Sequence, residues 1–242
     1  MSPTNKRFTT LIEREGGAIR FEYEITYEFM PHESLKKLPR QVREQVTDLQ
    51  YLHKTHPEQA IVSLLDLIEK YPKVPIFYNY LIAAYNATGQ EEKAEAAIEE
   101  AYQKHPDYHF AKTNYAIQCL RNQAPEKIPA IFDNKFDLGS LYPHRKVFHI
   151  TELMAFTSVM TLYYDAIGNR SAAKVCYTIL QELEPEHYLT KSLKRKLYPT
   201  FLQKLWDAIN KPIQKKLYAF KQQAKKQTAS KSTNLNNYSK EF

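Results

Sequence analysis

Glycine is scarce in this chain. There are five in 242 residues, at positions 16, 17, 89, 139 and 168, roughly 2% against an ordinary usage of about 7%. They are not spaced to build a GxGxxG dinucleotide turn or a Walker-type phosphate loop, so both nucleotide-binding signatures are absent. Cysteine is scarcer: Cys119 and Cys176 stand far apart in apolar, helical-looking surroundings and read as reduced core thiols, not as a disulfide or a metal pair. The apolar stretch between Glu152 and Asp165 is too short to span a bilayer. Residues 1–17 lack the apolar core of a secretory signal. A cytoplasmic location is the expectation.

Catalytic signatures are missing as well. There is no G-x-S-x-G elbow and no H-E-x-x-H, and neither cysteine has a partner histidine that sequence can identify. Eight histidines prompt a metal search. His53 and His56 form H-x-x-H but stand at a helix end before Pro57. Pro106 interrupts His105 and His109. His149 and Glu152 share one helix face. None has the ligand number and spacing of a zinc site, and surface or capping roles are expected. Carboxylate pairs such as Glu91-Glu92 and Glu99-Glu100 look like solvated helix faces. No catalytic residue, cofactor or metal ligand is assigned, and the expectation is a protein that is not an enzyme.

What is present is material for a core. Hydrophobic residues make up 43% and there are 18 tyrosines, which excludes global disorder. Abundant Ala, Leu, Glu, Lys and Gln with little glycine point to helices joined by short turns. The formal charge of +7 is unevenly placed: residues 186–242 hold 13 Lys/Arg and 3 Asp/Glu, whereas 1–185 hold 21 and 24. A slightly acidic body therefore carries a basic C-terminal quarter, unlike a uniformly basic nucleic-acid binder.

Residues 18–30 alternate strictly. Ile19, Phe21, Tyr23, Ile25, Tyr27 and Phe29 fall on one face and Arg20, Glu22, Glu24, Thr26 and Glu28 on the other, the period of a half-buried strand. Residues 7–13 make a partner strand, with Gly16-Gly17 as the hairpin turn. A lone hairpin is marginal in water, so its aromatic face is expected to lie on the first helix after Pro39.

From Gln41 the pattern is helical and it repeats. Pro72 and Pro106 are 34 residues apart, as are Ala60 and Ala94, and Tyr51 and Tyr85. Such a period is the mark of a helical solenoid. Residues 75–108 are the clearest unit: Tyr78, Leu81, Tyr85, Gly89, Ala94, Ile98, Ala101 and Pro106. Residues 154–187 place Met160, Tyr164, Gly168, Ala173, Tyr177, Leu180 and Pro185 in the same register. Residues 41–74 keep Tyr51, Ala60, Leu64, Leu67 and Pro72 but put polar Thr47 and Asp48 in their first helix. The unit starting at His109 opens well, with Tyr115 and Ala116, yet Pro129 falls inside its second helix. The next unit begins 11 residues late, and 133–145 reads as an inserted loop. Small residues let two helices approach closely, glycine permits the left-handed link and proline ends the second helix.

These residues resemble the tetratricopeptide repeat over 41–187. The resemblance implies an all-α superhelix of about four helix pairs: 41–74, 75–108, 109–153 with the insertion, and 154–187. A β-hairpin and lead-in (1–38) precede the repeat domain (39–187). The resemblance further implies a concave groove, lined by the first helix of each pair, that holds an extended partner peptide. Carried onto this chain, the groove places are His53 in the first unit, Asn79, Tyr80 and Asn86 in the second, and Phe110, Asn114 and Arg121 in the third. Asparagine amides suit a peptide backbone, since they donate and accept, and Tyr80 and Phe110 suit partner side chains. The family's clamp for acidic tails needs several cations in these places; only Arg121 is evident. The expected function is a scaffold or adaptor.

Beyond Pro185 the chain turns basic and amphipathic. Lys194, Arg195 and Lys196 cluster, and Lys215, Lys216, Lys221, Lys225 and Lys226 flank an apolar stripe through Ile213, Leu217 and Phe220. Residues 188–226 read as capping helices and 227–242 as a disordered tail. The alternative function lies here: a tether to an anionic membrane surface or to nucleic acid through 191–226.

Overall fold

The computed structural model of the chain describes residues 6–14 and 17–200. They are mostly helical, with a small three-stranded sheet ordered β1-β2-β3. Strands β1 (Lys6–Arg14) and β2 (Gly17–Thr26) pair antiparallel with Arg14 opposite Gly17. The expected hairpin is therefore present, while Gly16 in its turn lies outside the described residues. The third strand, β3 (Val147–His149), runs parallel to β2 with Glu24 opposite Val147 and Thr26 opposite His149. Sequence gave no sign of it, because three residues are too few to show a period of two. Strand β2 ends at Thr26, earlier than the alternation to residue 30 suggests, and Phe29 is 67% exposed.

The lead-in carries α1 (Glu33–Lys36), capped by the His32 side chain. Then come α2 (Arg40–Thr55), α3 (Pro57–Lys70), α4 (Ile76–Ala87), α5 (Glu91–Lys104) and α6 (His109–Arg121). From α2 to α6 each helix packs on the next, and α2 also on α4. Short links force this: a helix joined to the next by one to five residues has nowhere to go but back along it. Ala60, Ala94 and Ala173, the small residues of the register, are all buried, as are Leu64, Tyr78, Leu81, Ile98 and Leu180.

The turns repeat in detail. Helix α4 ends with Gly89 at φ +69°, where the Gly89 amide donates to the Asn86 carbonyl and the Gln90 amide to that of Tyr85, a Schellman closure. Gly168 does the corresponding job at φ +80° after α9. After α6 the same place is held by Gln123 at φ +57°, and the Gln123 and Ala124 amides bond to Leu120 and Cys119. The turn geometry thus persists where glycine is absent.

The third unit departs from its neighbours as Pro129 suggests. A 3-10 turn at Pro125–Lys127 leads into α7 (Ile128–Ile131), which is only four residues long. The expected loop 133–145 is not a simple loop. It contains α8 (Leu138–Leu141), capped by Asp137 and buried throughout, and it follows the fully buried Phe132. The loop reading followed from polar and turn-forming residues; Phe136, Leu138 and Leu141 between them supply an inward face instead. Helix α9 (Ile150–Ala166) begins four residues before the expected unit boundary, packs on α6, and is followed by α10 (Arg170–Leu183) and α11 (Tyr188–Leu197).

The lead-in places Leu35 and Leu38 in one core with Val46 and Leu49 of α2. The hairpin takes a different support. Tyr23 stacks on Phe8 and meets Phe148 of β3 edge-on at 5.3 Å, and β2 contacts α8 and α9. The inserted segment, with α8, and the strand β3 that follows it give β2 both a floor and a pairing edge, and that is why the hairpin settles there.

Candidate binding surface

The first helices of the pairs bring most of the expected groove residues into one row. His53 lies in the last turn of α2, where its Nδ1–H donates to the Leu49 carbonyl at 2.8 Å. Its ring stacks on Tyr80 of α4, with centroids 4.9 Å apart and planes within 14°. One residue earlier on α4, the Asn79 amide oxygen accepts from Asn114 Nδ2 of α6 at 3.2 Å. Phe110, in the first turn of α6, meets the rings of Tyr108 and His109 at 5.7 and 5.4 Å. Asn86 and Arg121 end α4 and α6 and are exposed.

This geometry redistributes the roles. His53 is only 7% exposed, so it supports Tyr80 from below and offers little surface of its own. Burial lowers its pKa and keeps the ring neutral. Burial likewise raises the Tyr80 phenol, which stays protonated and able to donate. Asn79 and Asn114 spend one donor and one acceptor on each other. Each retains amide capacity for a ligand backbone, and their mutual bond fixes which way the amides face.

A cleft of about 210 Å³ adjoins the row between the lead-in, α2 and α4, and Tyr80 lines it. A second cavity, of about 460 Å³, lies between the hairpin, the inserted segment, α9 and α10, with Phe8, Tyr23, Phe136, Phe156 and Met160 among its walls. Cys176 also lines it, and burial pushes that thiol up to about 11. Cys119 is the other free thiol and is buried.

A buried titratable cluster stands elsewhere, and sequence reasoning missed its centre. His109 was expected at the surface or at a cap; it is 3% exposed. Its Nε2–H donates to the Glu152 carbonyl at 2.9 Å, while Nδ1 has no partner among the described residues. Burial lowers its pKa to about 4. Glu152 receives both guanidinium nitrogens of Arg145 at 2.8 Å. Burial raises that carboxyl, but the hydrogen bonds and charge of Arg145 outweigh it and hold the group below the usual carboxylate range. Arg145 also lies 4.2 Å from the Phe148 ring centre. His149 caps α9, and Glu152 completes a capping box. Only that H-x-x-E spacing was legible beforehand. The cluster ties the inserted segment to the starts of α6 and α9, as a latch would.

Among the described residues no three His, Cys, Asp or Glu side chains stand close enough to hold a metal ion, and no helix is long and apolar enough to cross a membrane. Lys194, Arg195 and Lys196 are exposed in the last turn of α11. Lys215, Lys216, Lys221, Lys225 and Lys226, with the expected capping helices beyond residue 200 and the tail 227–242, lie outside the described residues. Comparison of the chain with protein-family models, with curated proteins and with solved structures gives no match.

Proposed function

We propose that the chain is a non-enzymatic protein–protein interaction module, an adaptor of tetratricopeptide-like helix pairs whose first helices hold an extended segment of a partner protein. One observation carries the reading. Groove places that the resemblance assigns one unit at a time touch across units: His53 with Tyr80, and Asn79 with Asn114. Coincidental spacing in an ordinary bundle gives no reason for such contacts. Helical repeats of this kind use the stacked first helices as a binding surface. Asn86, Asn114, Phe110 and Arg121 supply the accessible polar and aromatic contacts.

The test replaces Asn86, Asn114 and Arg121 with alanine in the full chain. We expect partner capture to weaken at least tenfold, corresponding to about 1.4 kcal/mol, with thermal unfolding shifted by only a few degrees. Undiminished capture by the folded triple variant would remove the groove from consideration. The second reading, a tether through 191–226, draws support from the joint exposure of Lys194, Arg195 and Lys196. It requires liposome or DNA binding that weakens steeply with salt; binding indifferent to salt would end it.

A further inference from the structure

The first helix pair breaks the repeat pattern at Thr47, where the resemblance asks for a bulky apolar residue. Thr47 stands on the wall of the 210 Å³ cleft. Its hydroxyl turns back to donate to the Arg43 carbonyl at 3.1 Å, so toward the cleft it presents little beyond its small size. A leucine there would reach into the space that threonine leaves open. The departure from the pattern and the cleft are one feature.

The lining has a definite character. Phe29, Pro31, Val46 and Tyr80 make apolar walls, and Lys36 and Arg43 bring positive charge. Phe29 is 67% and the adjacent Met30 42% exposed, a pair of large apolar groups left in water beside the opening. The volume falls below the roughly 300–1,000 Å³ of pockets that enclose whole small-molecule ligands, and suits a single large side chain. Lys36 shares its charge with Glu33 at 2.6 Å, and the neighbouring Arg40 is paired with Glu44 at 2.9 Å. The Arg43 side chain makes no ion pair among the described residues. The uncompensated charge at the cleft is thus a guanidinium, whose planar fork matches a carboxylate.

We propose that the cleft is an anchor site for an acidic partner segment: one leucine-, methionine- or phenylalanine-sized side chain enters it, and an adjacent carboxylate pairs with Arg43. An apolar anchor in a pocket with a polar rim is the arrangement that concentrates binding energy in interfaces. The inference rests on the reading of the chain as a peptide-binding module and gives that module a specificity. Thr47 and Arg43 occupy places in α2 outside those that the resemblance assigns to the groove. The cleft is a separate pocket that shares Tyr80 with the row.

The experiment titrates the full chain into three fluorescein-labelled peptides, SGDEFEDSG, SGDEAEDSG and SGKKFKKSG, and reads polarisation. The first should bind, and the other two at least tenfold more weakly. Thr47→Leu should lower affinity for the first at least tenfold while leaving the melting temperature unchanged or higher. Arg43→Glu should weaken the acidic peptide tenfold and strengthen the lysine peptide. Equal affinity for all three, no binding of the first, or unchanged binding by folded Thr47→Leu would each overturn the proposal. If Thr47→Leu folds poorly, the charge reversal at exposed Arg43 decides alone. Asn86→Ala with Arg121→Ala separates this proposal from the groove. Peptide binding kept in that variant and lost in Thr47→Leu upholds the cleft against the groove; the opposite pattern sinks the cleft and leaves the groove. Wild-type self-association that Thr47→Leu abolishes, without peptide binding, would assign the cleft to a second copy of the chain and overturn the proposal.

Discussion

His109 shows how much one buried side chain fixes. Its imidazole titrates near 4 in the folded chain and at 6.5 in its ordinary state, so between these values the unfolded chain binds more protons. Stability must therefore fall as pH drops below 6.5, by about 2 kcal/mol at pH 5 for this group alone. Glu152 acts in the same sense: its carboxyl lies below its usual range, so the stability it contributes above that range is lost as pH falls through the folded value. Urea titrations at pH 7 and pH 5 should show the loss. His109→Phe should flatten the profile in part, since burial also lowers His32, His53, His105 and His149. No drop in midpoint at pH 5 would mean that His109 is hydrated in solution. None of this was legible beforehand. The sequence places His109 at the start of a helix but says nothing of the Tyr142 and Phe156 rings that close over it at 5.8 and 6.3 Å.

Among the elements, the helix-ending turns were the most legible and make the sharpest stability prediction. Gly89 and Gly168 hold positive φ with open space where a Cβ would go, so Gly89→Ala or Gly168→Ala should cost only backbone strain, about 1 kcal/mol each. Gln123 pays that strain already at φ +57°, and Gln123→Gly should stabilise by up to about 1 kcal/mol in chemical denaturation. A destabilised Gln123→Gly would show that the glutamine side chain does more than tolerate the turn. Glycine, proline and buried alanine were readable because each answers a steric demand of its own position. Elements α7, α8 and β3 were not, because three or four residues carry no period, and their burial depends on partners far along the chain. Their attachment can be tested at Glu152. Glu152→Gln should loosen Arg145 and with it β3, destabilising by about 1–3 kcal/mol. Amide exchange at Glu24, whose N–H donates to the Lys146 carbonyl at 2.8 Å, should speed up before that of α4.

At the scale of the unit formed by residues 1–193, the sequence conveys how units succeed one another more fully than what each side chain does. The register put His53, Tyr80, Asn79 and Asn114 on facing helices, and the structure joins them. It did not separate the supporting ring of His53 from the presented ring of Tyr80, since periodicity ranks faces and not depth along a helix. Thr47 was visible as an irregularity. Its meaning needed the lead-in, whose Phe29 and Pro31 stand across the cleft from α2, a place that the alternation ending at Phe29 does not reveal. Binding by the groove and by the cleft should accordingly respond to different substitutions, Asn86 and Arg121 for one and Thr47 and Arg43 for the other.

The parallel pairing of β2 with β3 has a consequence for how the chain comes apart. In a stack where each unit leans only on its neighbours, the terminal unit is the first to fray. Here residues 24–26 are bonded to residues 147–149, so the N-terminal hairpin is fastened to a segment eight helices further on. Closing so long a loop carries an entropic cost that local helix pairs do not bear. The α2–α6 stack should therefore assemble first and the strand pairing last. Once made, that pairing holds the N-terminal end shut, and unfolding starts where the bond between the two distant segments is released.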